Sequence, residues 1–317
     1  MSSLSEIFCI KYIFIFRNKP EIFWICSSRI WCYTETQRAF GIVNKARTSK
    51  LRRPGFILAV VSGLALCVFA FTSSFGTIRA GWYRFFFPNR PNVIIILIDT
   101  LRRDHLGVYG YPRPTSPNID RFAKTALVFE NAISSCSWTN PSVVSFFSGL
   151  YPTTHSVFSY KQKKKTVIAD VIPLKLEMMS ELFQRRGYAT GAFVANRWMG
   201  RELHFDQGFD VFDTINEDIK PRAPDVNRKA LEWIAAHKNR PFFAYIHYVD
   251  VHEPYNPAEP YQNNFNTTGI KFLRKYQRSR VSVETVIRYM LDRYDGEIRY
   301  LDHYIGVLFR KLEAEGV

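Results

Sequence analysis

Three side chains in this 317-residue chain stand where an anion could be handled: Asp99, Thr139 and His252. Asp99 closes an unbroken apolar run, Asn92 to Ile98. In open α/β sheets, sites lie beyond the carboxyl ends of the strands, and Asp99 stands at such an end. Thr139 opens a patterned stretch, Ser137 to Tyr151. A hydroxyl at a helix start sits where backbone N–H groups and the helix dipole favour negative charge. His252 belongs to Asp250-Val-His-Glu-Pro-Tyr255, which follows a second apolar run. Each residue also has an ordinary structural reading. Asp99 could be a cap or turn former, Thr139 part of a capped surface helix, and His252 a hydrogen-bonded loop histidine.

The elements that would position them are legible from spacing. Pro141 suits the first position of a helix, where a missing N–H costs nothing. Thr139 or Asn140 would cap it, Gly149 would end it in the left-handed conformation, and Pro152 would prevent a restart. The β-branched run before Asp99 reads as a central strand buried on both faces. Further strands are expected over Thr190 to Ala195 and Phe242 to Val249, the second opened by Pro241. Ile172, Leu176, Met179 and Phe183 share helical spacing up to Gly187; Val226, Ala230, Trp233 and His237 form another stripe, capped by Asp225. Lys161 to Lys165 reads as a solvated loop, and His237 as a boundary histidine. From Ile287 to Leu312 one apolar stripe runs over many turns, with a bend allowed at Gly296. Strands and helices alternate from Asn92 onward. That predicts an α/β fold: a largely parallel sheet with helices on both faces.

Charge and composition narrow the class. The net charge is +15, but residues 1–90 hold 13 Lys and Arg against 3 Asp and Glu, so the basic excess belongs mostly to the N-terminal arm. A nucleic-acid partner, which wants basic residues on a folded face, is not expected. Hydrophobic content of 47% supports a filled core. Five cysteines show no metal spacing and no disulfide framework. Residues 1–54 form a basic arm without a nameable element, consistent with an overextended start. Residues 55–75 are almost wholly apolar and follow Lys45, Arg47, Lys50, Arg52 and Arg53. About 20 apolar residues span a bilayer, and the basic flank stays cytoplasmic. The expectation is a single-pass signal anchor in the lipid bilayer with the following domain extracytoplasmic; a cleaved signal peptide ending near Val68-Phe69-Ala70 is the alternative. Residues 76–90 read as an aromatic collar and linker, and 91–317 as the folded domain.

Taken in order, these segments resemble the sulfatase branch of the alkaline-phosphatase superfamily. The matching runs are Pro91 to Gly107, Thr115-Ser-Pro-Asn-Ile-Asp120, Ser137-Trp-Thr-Asn-Pro-Ser142 and Ser148-Gly-Leu-Tyr-Pro152. Gly187 to Thr190, Gly208-Phe-Asp210, His252-Glu-Pro-Tyr255 and Tyr294 to Asp302 complete the series. The resemblance implies a metal-dependent enzyme. Asp99 would help hold a divalent ion (Ca, Mg, Mn or Zn), with Thr139 both nucleophile and metal neighbour. Asn140, Asn196 and His252 would contact the substrate, His252 near its oxygens or leaving group. A hydroxyl is a poor nucleophile until a base or metal helps remove its proton, so the pairing is coherent.

Three departures shape the expected activity. Sulfatases of this branch convert a Cys or Ser in a Cys/Ser-x-Pro-x-Arg pattern to formylglycine. Here the aligned residues are Thr139-Asn-Pro-Ser-Val143, and threonine cannot become that aldehyde; Cys136 is followed two residues later by Trp138 rather than proline. A threonine nucleophile resembles instead the phospho-transferring members, including membrane-anchored enzymes that move phosphoglycerol or phosphoethanolamine groups. The expected substrate is therefore a phosphate ester, a phosphodiester before a monoester, with a sulfuric ester as the alternative. Second, Asp99 is followed by Thr100 where many members carry another acid, and Asn196-Arg197 occupies the region of the family's lysine-bearing segment. Third, the family's remaining ligands, an Asp-His or Asp-Asn pair, are expected beyond Val317. Asp302-His303 lies on a helix and is not read as that pair. A truncated, non-catalytic, membrane-tethered remnant is accordingly the other expectation.

Overall fold

The computed structural model describes residues 12–15, 90–158, 161–163, 166–168, 170–215, 222–270 and 280–317. Its strands are β1 (Tyr12–Ile15), β2 (Val93–Ile98), β3 (Lys161–Lys163), β4 (Thr166–Ile168), β5 (Ala189–Val194), β6 (Val211–Thr214) and β7 (Phe242–Tyr248). The α-helices are α1 (Pro117–Ala123), α2 (Thr139–Ser148), α3 (Pro152–His155), α4 (Met179–Arg185), α5 (Ala223–His237) and α6 (Val283–Ala314). The five-stranded sheet has the order β1-β2-β7-β5-β6. β2, β7, β5 and β6 pair in parallel, as the alternating pattern requires, and β1 adds an antiparallel edge. That edge strand was not expected from residues 1–54. Its four residues, Tyr-Ile-Phe-Ile, favour a strand but are too few to show a period.

Alternate residues of β2 feed two cores. Ile94, Ile96 and Ile98 pack on one side with Ala244, Ile246 and Tyr248 of β7, Val226 and Ala230 of α5, and Ile298, Leu301 and Ile305 of α6. Ile95 and Leu97 pack on the other with Phe243 and Tyr245 of β7 and Val143, Val144 and Phe147 of α2. Each of the Val, Ile, Leu and Phe side chains contributes roughly 1.5–3 kcal/mol by leaving water. Gly191 lets α5 approach the sheet closely: a Cβ there would sit 2.8 Å from the Trp233 ring.

Several local expectations are corrected. The stripe from Ile172 to Phe183 is helical only from Met179. Pro173 lacks a backbone donor, and the Glu181 carboxylate accepts the Met178 N–H at 2.8 Å, fixing the start there. Pro152 does not block a helix but begins α3, since its fixed φ suits the first turn. Helix α2 starts at Thr139 behind Trp138, so Pro141 lies further inside than expected. For α5 the capping residue is Arg222, with Asp225 in the first turn; Asp250 at the end of β7 accepts the Ala223 N–H at 3.2 Å. Lys161–Lys163 pairs with Thr166–Ile168 as a small antiparallel hairpin rather than a loop. Helix α6 runs on through Gly296, whose missing side chain admits Pro257 and the Tyr261 carbonyl. Among the described residues no helix is long and apolar enough to cross a membrane; the apolar run 55–75 lies outside them, as do the rest of the arm and residues 76–89.

Candidate active site at the carboxyl edge of the sheet

Parallel pairing of β2, β7 and β5 brings their carboxyl ends to one edge. Leu97 on β2 pairs with His247 on β7, and His247 with Val194 on β5. The residues just past those ends therefore meet. Asp99 extends the β2 ladder by donating its N–H to the Tyr248 carbonyl at 2.9 Å. Its carboxylate is fully buried. Oδ2 accepts the Thr139 hydroxyl at 2.8 Å and the Asn196 side-chain amide at 3.3 Å. The His247 Nε2 faces the same oxygen at 3.7 Å.

Thr139 was expected to be able to cap α2 with its hydroxyl, and it does not. The hydroxyl turns to Asp99, and α2 has no side-chain cap. The first N–H groups of a helix have no partner within it, so this helix start keeps its affinity for an anion. Asn140 is buried beside it, with Nδ2 donating to the Trp198 carbonyl at 3.2 Å and Oδ1 left without a hydrogen bond. Asn196 completes the ring: its Oδ1 accepts the Trp198 N–H at 3.0 Å while its Nδ2 reaches Asp99. Arg197 lies over the exposed Trp198 ring at 4.9 Å.

Helix α2 is anchored from behind by a histidine that the sequence reading passed over. His155 ends α3 and is buried; its Nε2 lies 2.9 Å from the Ser145 hydroxyl and its Nδ1 accepts the Val157 N–H at 3.0 Å. Burial lowers its pKa below the ordinary value, partly opposed by the Pro141 carbonyl.

His252 is half-buried in the turn after β7, its Nδ1 2.9 Å from the Glu253 carbonyl. The imidazole that faces Asp99 is instead His247, concealed in the sequence as one letter of an apolar strand. His247 is fully buried, its Nδ1 is 3.1 Å from the Tyr245 hydroxyl, and its Nε2 makes no hydrogen bond. Only its place near a strand's carboxyl end could have flagged it. Asp302, which was not read as a ligand, accepts the N–H groups of Asn118 and Ile119 at the start of α1.

A metal would find few donors here. Asp99 supplies a carboxylate, Thr139 a hydroxyl and His247 a ring nitrogen. Among the described residues no group of three or more His, Cys, Asp or Glu side chains could hold an ion. Zinc takes at least three protein ligands and calcium six or more oxygens. These residues do not make a metal centre by themselves.

A buried strand-end carboxylate meets a helix-start hydroxyl at the carboxyl edge of the α/β sheet. The chain belongs to the sulfatase family, whose model matches residues 91–317. It is similar to human N-acetylgalactosamine-6-sulfatase, 28% identical over 132 residues, covering 39% of this chain and 25% of that protein. It is also similar to the ulvan-active sulfatase of Formosa agariphila, 24% identical over 266 residues, covering 73% and 48%. The chain thus spans a quarter to about half the length of these relatives. Its fold resembles the C-terminal periplasmic domain of EptC from Escherichia coli in complex with zinc, with a TM-score of 0.51 and 18% identity, covering 71% of this chain and 60% of that domain.

Proposed function

We propose that this chain belongs to a membrane-anchored sulfatase-family enzyme that cleaves or transfers phosphate esters through Thr139. The observation that carries the reading is the hydrogen bond from Thr139 Oγ1 to Asp99 Oδ2. As the hydroxyl attacks phosphorus, its proton passes to Asp99, an Oγ–P bond forms and the ester O–P bond breaks. The alkoxide that leaves takes a proton from water, and Asp99 returns its own to Thr139 Oγ1 when the group is released. Water or a second alcohol then releases the group from Thr139, giving hydrolysis or transfer. The Thr139 and Asn140 N–H groups at the start of α2 would stabilise the transferring oxygens. Asn140 and Asn196 would orient them, and His252 would sit near the leaving group.

A divalent ion is part of the proposal, with Asp99 as one ligand; the zinc-bound EptC domain supports it by analogy of fold. Its remaining ligands would have to come from outside the described residues. An ion in this place would share negative charge with the helix start. The anchor over residues 55–75 and an extracytoplasmic domain rest on the apolar run and its basic flank. Alkaline carbonate extraction tests them: release of the full chain from membranes would overturn the anchor.

The second reading is a sulfate-ester hydrolase, favoured by the names of the curated relatives. Acid-quench mass spectrometry decides between the two. The chain is incubated with bis-p-nitrophenyl phosphate or with p-nitrophenyl sulfate. A p-nitrophenyl-phosphoryl adduct on Thr139 supports the first reading and a sulfuryl adduct the second. Turnover with an adduct elsewhere removes Thr139 from the mechanism.

A further inference from the structure

The residue bonded to Asp99 has a backbone conformation that side chains avoid. Thr100 has φ 58°, in the left-handed region. A β-branched residue is a marked outlier there. Such conformations persist where the surroundings over-determine them, and they cluster at functional sites.

Two segments remote in sequence hold this turn. The Thr100 hydroxyl lies 2.7 Å from the Asp99 carbonyl and 3.0 Å from the Val251 carbonyl, just past β7, and shares its one proton between them. The Thr100 carbonyl accepts from the Tyr294 hydroxyl of α6 at 2.8 Å. The same phenol oxygen accepts the Arg102 N–H, also at 2.8 Å. One hydroxyl therefore spans the turn, bonded to the backbone on both sides of Leu101. Tyr294 is itself fixed: it is buried, edge-on to His105 with ring centroids 4.9 Å apart and to Tyr255 at 5.3 Å. His105 is held in turn by Asp295, with Nδ1 2.6 Å from Oδ1. A packing role would need only the ring; two hydrogen bonds to the turn after Asp99 need the hydroxyl.

We infer that Tyr294 is a positioning residue for Asp99. Its hydroxyl keeps Thr100 left-handed, and that turn aims the Asp99 carboxylate at Thr139. The functional consequence rests on the proposed role of Thr139 and Asp99; the geometric one stands alone.

The test is Tyr294→Phe in the full chain, read first by crystallography. The expected result is loss of the positive φ at Thr100 and a Thr139–Asp99 separation beyond hydrogen-bond reach, with the surrounding core unchanged. Adding Thr100→Gly should restore the separation, because glycine adopts positive φ without penalty. Unaltered geometry in Tyr294→Phe, or no restoration by the glycine, would overturn the inference. If Tyr294→Phe alone does not fold, the double variant should, since its turn no longer depends on the phenol. Failure of both reduces Tyr294 to a packing residue. Turnover of bis-p-nitrophenyl phosphate gives the second readout: kcat should fall about tenfold or more at unchanged KM, and recover in the double variant. Thr139→Ala runs alongside. Undiminished turnover there sinks the nucleophile reading, leaving Tyr294 to be judged on geometry.

Discussion

The Thr139 hydroxyl donates to Asp99 Oδ2 across 2.8 Å, although the two residues are 40 positions apart and belong to different elements. The contact joins the end of β2 to the start of α2. It leaves the helix's first N–H groups without a side-chain cap. If Thr139 is the nucleophile, Thr139→Ala should lower turnover by on the order of 10⁴-fold or more, while Thr139→Ser keeps a measurable fraction. Thermal unfolding should move little in the serine variant, whereas the alanine variant strands the buried Asp99 carboxylate and should lose about 1–3 kcal/mol. Kinetics and melting curves on the same preparations check both halves; full activity in the alanine variant would sink the assignment.

Metal binding by these 317 residues should be weak. Asp99 and His247 are two donors at the sheet edge, and no third acid, histidine or cysteine among the described residues joins them. Calorimetric titration with zinc or calcium should give a Kd on the order of 10⁻⁴ M or weaker. Asp99→Asn should weaken it further. Nanomolar binding that survives this substitution would show that the ion is held elsewhere.

Acid should loosen helix α2 through His155. Burial holds its folded-state pKa below the ordinary 6.5. Its Nδ1 already accepts the Val157 N–H, so the folded state favours the neutral ring. The contribution to stability is complete above the unfolded pKa and is lost as pH falls through the lower folded value. Urea unfolding followed from pH of about 7 to about 5 should show a stability loss of up to about 1.4 kcal/mol per pH unit from this one group. In His155→Gln that share of the slope should vanish; equal slopes in both proteins would rule it out.

Asp302 predicts a purely structural cost. Its buried carboxylate accepts the N–H groups of Asn118 and Ile119 and the Asn118 side-chain amide, at 2.8 to 3.1 Å. Desolvation raises its pKa, opposed by these donors. Asp302→Ala strands them and should cost about 1–3 kcal/mol in chemical denaturation. A neutral outcome would mean that water reaches α1 in the variant.

The sheet was legible because its central strands are continuous apolar runs, and such runs need no partner to be recognised. Asp99 and Thr139 could be singled out because one ends such a run and the other opens a patterned helix, whereas Asn196 came only from the family resemblance. His247 was not, since a histidine inside Phe-Phe-Ala-Tyr-Ile-His-Tyr carries no sign of what lies across the sheet. Helix α6 shows the limit most clearly. Its apolar stripe was read from spacing, but that spacing says nothing of Asp292, Asp295, Glu297 and Asp302, which are all buried. Their partners, including Arg113, His105, Arg222 and Asn118, lie far upstream, where no local period reaches.

The position of Tyr294 ties the site to the order of synthesis. Once Tyr248 has been made, β2, β5, β6 and β7 all exist, yet the clasp on the turn after Asp99 is still 46 codons away. At roughly 5–20 residues per second, a nascent chain passes through an interval of seconds in which the sheet can pair while Thr100 lacks its carbonyl partner. The helix that clasps the turn is thus also what dates it: the Asp99 edge is finished only after the strands that carry it have been made.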